Sequence, residues 1–438
     1  MIDPLLDDPG TRIIVCCGSG GVGKTTTAAA LGVRAAERGR KVVVLTIDPA
    51  RRLAQSMGID SLDNTPRRVK GVRGDGELHA MMLDMKRTFD EIVEAHADPD
   101  RAKAILTNPF YQSLSAGFAG TQEYMAMEKL GQLRARDEWD LIVVDTPPSR
   151  SALDFLDAPK RLGSFLDGKF IKLLMAPAKM GGRAGMKFLN IGMSMMTGTL
   201  GKLLGGPFLH DVQTFVAAMD TMFGGFRTRA DATYRLLQAP GTAFLVVAAP
   251  ERDALREAAY FVERLAADDM PLAGLVLNRV HGSAAARLSA ERALAAAENL
   301  EEPPEAADTD APDASDIHDA PDSGHTENLD ERRIVDQEAG KAEGRSTSDP
   351  SPDAVNSPGD TGSCEDSIER LTAGLLRLHA ERMQVLARER RTRDRFTALH
   401  PEVAVAEVAA LPGDVHDLTG LRTIGDRLAA GGPPAGAA

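Results

Sequence analysis

The chain has 438 residues, a formal net charge of −13 and three cysteines. That length fits two or three average domains or one large α/β domain with insertions, so it leaves the domain count open. The cysteines provide neither a disulfide framework nor a Cys-x-x-Cys metal pair, which argues against a disulfide-stabilised secreted domain and predicts a cytoplasmic location. Since neither a basic leader nor a run of 18 apolar residues occurs, we expect neither a signal peptide nor an integral membrane segment.

The negative charge comes from one segment. Residues 301–366 contain 20 acidic and 4 basic side chains, a net charge of −16, so the rest of the chain is close to neutral. The segment has few aromatic or branched apolar residues, so it cannot bury enough surface to offset its ordering entropy. We predict an acidic disordered insertion and favour a solvated linker over an interaction tail. No basic stripe occurs elsewhere, so nucleic acid is not an expected partner.

Seven short apolar runs separated by helical stretches predict the fold. Their hydrophobicity is continuous rather than alternating, which is typical of parallel strands buried between helices. The predicted class is therefore α/β, a doubly wound, mostly parallel sheet of the P-loop NTPase type with an inserted helical subdomain. The runs are Arg12–Cys17, Lys41–Ile47, Glu77–Leu83, Asp140–Val144, Thr242–Ala248, Leu272–Leu277 and Val403–Leu411.

A glycine-rich loop follows the first of these runs. Gly18–Thr25 satisfies both the Gly-x4-Gly-Lys-Thr phosphate-binding pattern and the Gly-x-Gly-x-x-Gly dinucleotide pattern. Lys24 and Thr25 favour the first, because a terminal phosphate and its magnesium need a cation and a hydroxyl. Lys24–Arg38 is predicted as a helix whose first amides face the phosphates. We therefore predict ATP and Mg²⁺ as ligands, with a nucleotide site formed by Gly20, Gly21, Val22, Gly23, Lys24, Thr25 and Thr26.

Two acidic residues end predicted strands. Asp145 follows a run of four apolar residues, where a Walker B carboxylate would hold magnesium through water; a strand-end turn is the alternative. Asp48 ends the second strand. It would bind ribose in a dinucleotide enzyme and would orient the attacking water in an ATPase. We predict Thr25 and Asp145 as the magnesium site and Asp48 as the catalytic residue.

Two long connections, at about 86–138 and 149–241, carry helical rather than strand patterning. We expect them to form helical insertions in an ATPase core that spans residues 1–300. Within the second, Phe170–Phe226 contains eight of the 17 methionines. Because methionine is flexible and polarisable, this segment suits a site for apolar partners, and ordinary core packing is the alternative.

After the acidic segment, residues 367–430 are predicted to complete the core with a helix, a strand and a helix. The first helix is predicted over Ser367–Arg393 from its charged amphipathic pattern, and the second over Leu418–Leu428.

Taken together, Gly-Gly-Val-Gly-Lys-Thr-Thr, Asp-Pro-Ala and Asp-Thr-Pro-Pro resemble the ArsA and Get family of ATPases, in a bacterial branch. That family includes arsenite-efflux and tail-anchored-protein-targeting members. The resemblance implies that Asp48 is the water-positioning acid of switch I, that Asp145 heads switch II and that Thr25 ligates magnesium. It also implies that Asn278 contacts adenine. No Asn-Lys-x-Asp guanine motif occurs, which favours ATP over GTP.

The second loop position departs from the family pattern. Ser19 stands where members usually have a lysine that reaches the partner's nucleotide across a dimer. A missing cation slows phosphoryl transfer, so slow hydrolysis by the isolated chain is expected. Besides the homodimer that the resemblance implies, two explanations stay open. A lysine-bearing paralogous ATPase could complete a hetero-oligomer, or Arg51, Arg52 or Arg150 could substitute locally.

The cysteines also bear on the cargo. Cys16 and Cys17 lie in the first strand and Cys364 in the acidic segment, so neither metalloid binding nor a structural zinc is expected. The methionine-rich connection resembles the hydrophobic groove of targeting factors. We therefore expect an ATP-driven dimeric switch that handles an apolar or membrane-protein client. The alternatives are an ATPase subunit that energises anion efflux and a weakly or non-hydrolysing structural subunit.

Overall fold

The computed structural model of the chain describes residues 1–48, 52–109, 111–112, 121–147, 225, 228–301 and 361–430. The chain divides into two compact units. The larger combines Met1–Arg287 with Arg382–Ala438 and contains the sheet, and the smaller is Leu288–Glu381. Among the described residues, no helix combines the length and the apolar composition that crossing a bilayer requires.

One eight-stranded sheet organises the larger unit. Its strands are β1 Ile13–Cys17, β2 Lys41–Thr46, β3 Arg67–Arg68, β4 Glu77–Met82, β5 Leu141–Asp145, β6 Thr242–Ala248, β7 Leu272–Val280 and β8 Val405–Ala409. The order across the sheet is β3-β4-β2-β5-β1-β6-β7-β8, and every neighbouring pair is parallel except β3 and β4. All seven predicted strands are present, which confirms the predicted class. Strand β3 was missed because it has two exposed arginines and no apolar run.

The central strands are apolar at consecutive positions because both faces of the sheet are covered. Every residue of β1, β5 and β6 is buried. Along β1, Ile13 and Val15 enter one hydrophobic cluster, whereas Ile14 and Cys16 enter another. Since side chains alternate between the two faces of a strand, these two clusters are the two cores of a doubly wound sheet.

The described helices belong to both units. They are α1 Ile2–Asp7, α2 Lys24–Glu37, α3 Arg52–Ser56, α4 Met85–His96, α5 Pro99–Leu106, α6 Thr121–Ala135, α7 Arg252–Ala267, α8 Ala290–Glu301, α9 Thr361–Leu399 and α10 Leu418–Ala430. Residues 228–238 are also helical. Helix α10 packs on α2, where Arg422 pairs with Glu37 at 2.8 Å and Arg34 pairs with Asp426 at 2.8 Å.

The described part of the first long connection is helical. Asp84 caps α4 by accepting a hydrogen bond from the Arg87 amide, and a side-chain pair between Lys129 and Glu91, 3.0 Å apart, joins α6 to α4. Of the second connection the structure describes Gly225 and residues 228–241. The methionine-rich segment therefore lies outside the described residues except for Gly225, and its role stays a prediction.

Helix α9 is longer than expected. It begins at Thr361 rather than at Ser367 and ends at Leu399 rather than at Arg393. The predicted boundary followed a change in composition, and composition does not locate a helix terminus. Residues 302–360 lie outside the described residues, so the disorder of the acidic segment stays a prediction. Within the smaller unit, His379 Nε2 lies 2.9 Å from the Leu288 carbonyl, and Arg377 pairs with Glu301.

Candidate functional site

The phosphate loop connects the end of β1 to the start of α2, and two of its glycines occupy positions where a side chain would be strained. Gly18 has a φ of +149°, and a Cβ there would lie 2.0 Å from the backbone oxygen of Val247 in β6. Gly23, the N-cap of α2, has a φ of +97°, and a Cβ there would lie 2.2 Å from Asn278 Nδ2. These constraints shape a loop that leads into the unpaired amides of a helix N-terminus, which is where proteins bind phosphate.

Lys24 supplies the positive charge of the loop. Its side chain is 5% exposed, and Nζ donates a 2.8 Å hydrogen bond to the Ser19 carbonyl. Burial lowers the pKa of Lys24, while the charge of Asp145 opposes that shift. The ammonium thus donates to a neutral carbonyl of its own loop. A phosphate bound there would accept from it as a charged, and therefore stronger, hydrogen-bond partner.

Asp145 ends β5 and is fully buried. Its Oδ2 accepts two hydrogen bonds, from Thr25 Oγ1 at 2.8 Å and from Thr46 Oγ1 at 2.9 Å. Its Oδ1 is buried and has no hydrogen-bond partner among the described residues. Burial raises the pKa of this carboxyl to about 6, and the two hydroxyls act in the opposite direction.

The donors around Asp145 fit magnesium. Mg²⁺ prefers hard oxygen ligands and is usually held by one or two carboxylates together with substrate phosphates. Thr25 Oγ1 can ligate the ion through its oxygen while its hydroxyl still donates to Asp145 Oδ2. Oδ1, which has no partner among the described residues, is available to hold the ion through water. A bound cation would also offset the cost of burying the carboxylate. Thr25 and Asp145 are brought together as predicted.

Asp48 follows β2 at the same edge of the sheet. It is half-buried, its amide donates a 3.2 Å hydrogen bond to Thr46 Oγ1, and its charge raises the pKa of Lys24. Arg51 and Arg150 lie outside the described residues, as do the rest of 49–51 and of 148–227 apart from Gly225, whereas Arg52 is exposed in α3. The water-positioning role of Asp48 stays a prediction.

Asn278 lies on β7 beside the loop. Its side chain is 5% exposed, and Nδ2 donates a 2.8 Å hydrogen bond to the Val22 carbonyl. The regular pairing of β7 with β8 shifts directly after it, between Asn278 and Val280. The residue predicted to contact adenine therefore also braces the phosphate loop, a contact that the sequence did not suggest. Its contact with the base stays a prediction.

The other predicted loop residues differ in exposure. Gly20 and Gly21 are exposed at the tip, Val22 is buried and Thr26 is half-buried in the first turn of α2. Thr46 is the site residue that sequence reasoning missed. A hydroxyl at a strand end was the available signal, but its partner became clear only from the pairing of Thr46 with Asp145 across β2 and β5.

A parallel sheet, a glycine loop that enters a helix, a buried lysine and a hydroxyl–carboxylate pair define a P-loop nucleotide-binding protein. Comparison with known families agrees. The chain belongs to the ArsA ATPase family, whose model, described as anion-transporting ATPase, matches residues 11–298. The family recognised from the motifs is therefore confirmed.

Individual relatives carry two kinds of name. The chain is 32% identical over 158 residues to ATPase GET3 of Malassezia globosa, covering 36% of this chain and 45% of that protein. It is 25% identical over 281 residues to ATPase GET3 of Podospora anserina, covering 64% and 76%. A putative arsenical pump-driving ATPase of Halobacterium salinarum is 31% identical over 183 residues, covering 39% and 27%. The matches thus span less than half of the first and third of these relatives.

Proposed function

We propose that this chain binds ATP with magnesium and hydrolyses it, acting as a switch of the ArsA and GET3 type. The observation that carries the proposal is the convergence of Lys24, Thr25 and Asp145 at one end of the sheet, where one carboxylate oxygen of Asp145 has no hydrogen-bond partner in the described part of the chain. Lys24 would bind the terminal phosphates, and Thr25 and Asp145 would hold the ion. The chemistry that magnesium supplies in such sites is neutralisation of charge on the transferred phosphate.

Asp48 is proposed as the residue that orients the attacking water. Two observations support this role: the residue follows β2 at the edge where Lys24 lies, and the two charges interact. A carboxylate that accepts the proton of the attacking water as it orients that water contributes about 10²–10⁴ in rate. The proposed reaction therefore depends on Asp48 for turnover and on Lys24 for binding.

ATP hydrolysis and binding, measured separately, test this assignment. Asp48→Asn should keep MgATP affinity within about threefold and lose at least about 100-fold in kcat. Lys24→Ala should lose MgATP binding. Asp100→Asn makes the same substitution as Asp48→Asn at an exposed position of α5, and it should behave as wild type. Absence of MgATP binding by the wild-type chain would overturn the proposal. Binding without turnover would instead favour the structural subunit.

For the client, we propose an apolar or membrane-protein segment bound by a dimer of this chain. The thiols argue against a metalloid: Cys16 and Cys17 are buried in β1, and burial raises the pKa of both, that of Cys17 to about 12. Thiolates, which bind soft metals, are therefore disfavoured at these positions. The relatives named GET3 and the predicted methionine-rich segment support the apolar client.

Anion efflux is the second candidate, because the family description and the relative named as an arsenical pump-driving ATPase favour it. Two additions to the hydrolysis assay separate the candidates. A peptide with one apolar helix of about 20 residues should bind in a nucleotide-dependent manner if the client is apolar, whereas arsenite should stimulate turnover if the chain energises efflux.

Mass in solution, with and without a lysine-bearing paralogue, distinguishes homodimer from hetero-oligomer. The cytoplasmic location stays a prediction.

A further inference from the structure

The hydroxyl of Thr46 lies between the two acidic residues of the site. Thr46 is the last residue of β2, is 1% exposed and pairs in register with Asp145 of β5. Its backbone is held on both sides, since its carbonyl accepts from the Leu83 amide at 2.9 Å and the next amide, of Ile47, donates to the Asp145 carbonyl at 3.0 Å. The position of the hydroxyl is therefore set by the sheet rather than by a loop.

This hydroxyl determines which oxygen of Asp145 stays available. Thr46 Oγ1 and Thr25 Oγ1 both donate to Oδ2, at 2.9 and 2.8 Å, while Oδ1 has no partner among the described residues. Because a carboxylate oxygen has about two acceptor sites, two donors saturate Oδ2. Oδ1 is left as an acceptor without a donor in the described part of the chain, and it is available to a hydrated cation held beside Thr25.

The same hydroxyl connects this carboxylate to the chain at Asp48. The Asp48 amide donates to Thr46 Oγ1 at 3.2 Å. The Thr46 hydroxyl has one proton, and its distance to Asp145 Oδ2 is 2.9 Å against 3.4 Å to the Asp48 carbonyl, so the proton goes to the carboxylate. The result is a relay of two hydrogen bonds from the Asp48 amide through Thr46 to Asp145.

We propose that Thr46 is a positioning residue of the ATPase. Its hydroxyl holds Asp145 so that Oδ1 stays available to magnesium, and it ties the backbone of Asp48 to the magnesium site. The inference rests on the proposed function, since it concerns how the same site binds the ion. Its action on the ion runs through Asp145 and not through direct contact.

The test compares Thr46→Val, which keeps the shape and removes the hydroxyl, with Thr46→Ser, which keeps the hydroxyl. The readout is the ratio of ADP dissociation constants without and with Mg²⁺, measured by calorimetry, so no turnover is needed. Thr46→Val should lower this ratio about tenfold, the value of a hydrogen bond to a charged group. Thr46→Ser should keep the wild-type ratio, and metal-free ADP affinity should be equal in all three proteins.

A double-mutant cycle with Asp145→Asn separates positioning from a general effect on the fold. If Thr46 acts through Asp145, then Thr46→Val should change the ratio little in the Asp145→Asn background. In the hydrolysis assay Thr46→Val should lower kcat more than it raises KM, because the Asp48 amide loses its hydrogen bond to Thr46.

Three results decide the matter. An unchanged ratio in Thr46→Val, or an equal loss in Thr46→Ser, would overturn the inference while leaving the proposed function intact. Absence of any magnesium-dependent ADP binding in the wild-type chain would instead refute the proposed function. If thermal unfolding shows that Thr46→Val is not folded, Thr46→Ala removes the hydroxyl with a smaller side chain. The same decrease in the ratio of ADP dissociation constants is expected from Thr46→Ala.

Discussion

At the scale of single residues, Asn278 combines one observed contact with one predicted contact. Its amide group donates to the Val22 carbonyl, and the family resemblance predicts that it contacts adenine. The two roles are compatible, since a carboxamide has two donors and one acceptor oxygen. A ligand that has phosphates and no base separates the two roles. Its affinity should depend on Asn278 only if Asn278 supports the phosphate loop.

We predict that Asn278→Ala weakens binding of inorganic tripolyphosphate as well as binding of ADP. Removal of the amide leaves the Val22 carbonyl without its partner in a buried place, at a cost of about 1–3 kcal/mol. The measurement is calorimetric titration of both ligands into wild-type and variant protein. Loss of ADP affinity with unchanged tripolyphosphate affinity would show that Asn278 acts on the base alone.

At the scale of elements, the loop between β1 and α2 is shaped by close backbone approach as much as by dihedral angle. Gly18 and Gly21 both have positive φ, +149° and +77°. A Cβ on Gly18 would meet the Val247 backbone, whereas a Cβ on Gly21 would meet nothing within 4 Å. This pair separates the cost of backbone strain from the cost of a collision.

We predict that Gly18→Ala destabilises the ligand-free protein by about 2–5 kcal/mol, because strain and overpacking add. Gly21→Ala should cost only about 1–2 kcal/mol, the strain of a left-handed residue alone. Denaturant unfolding of the two variants measures both values. Equal destabilisation would show that β6 yields to the added methyl group and that the loop is not held by the neighbouring strand.

At the scale of the whole molecule, helix α10, which is distant in sequence, packs against the nucleotide-binding helix α2. Helix α10 packs on α2, the helix that follows the phosphate loop, and Leu421 and Leu428 of α10 are fully buried. Together with the pairing of Arg422 with Glu37, this brings residues after the acidic segment against the nucleotide-binding helix. Stability of the site therefore depends on residues far from it in sequence.

Leu421→Ala is expected to destabilise the protein by about 2–5 kcal/mol, since it leaves a cavity against α2. Leu375→Ala, at a position of α9 that is 59% exposed, is the matched control and should change stability by less than about 0.5 kcal/mol. Thermal and denaturant unfolding report both. A similar small effect at Leu421 would show that α10 is not part of the cooperative core.

The sequence alone determined seven of the eight strands, the phosphate loop that contains Lys24, and the proximity of Thr25 to the strand-end residue Asp145. These features follow from local rules: a buried parallel strand is apolar throughout, and a strand, a glycine loop and a helix place neighbouring residues in a known geometry. The local rules left β3 undetected and misplaced both ends of α9, where no continuous apolar pattern marks a boundary.

Only the tertiary structure decided which distant residues complete the site. Thr46 meets Asp145 because β2 and β5 are neighbours in register, and Asn278 meets Val22 because β7 lies beside β6 at the edge where the loop emerges. Strand order depends on how the helical connections pack, and no spacing along the chain encodes it. The hydroxyl and amide contacts that orient the predicted residues therefore became visible once the strands had been placed.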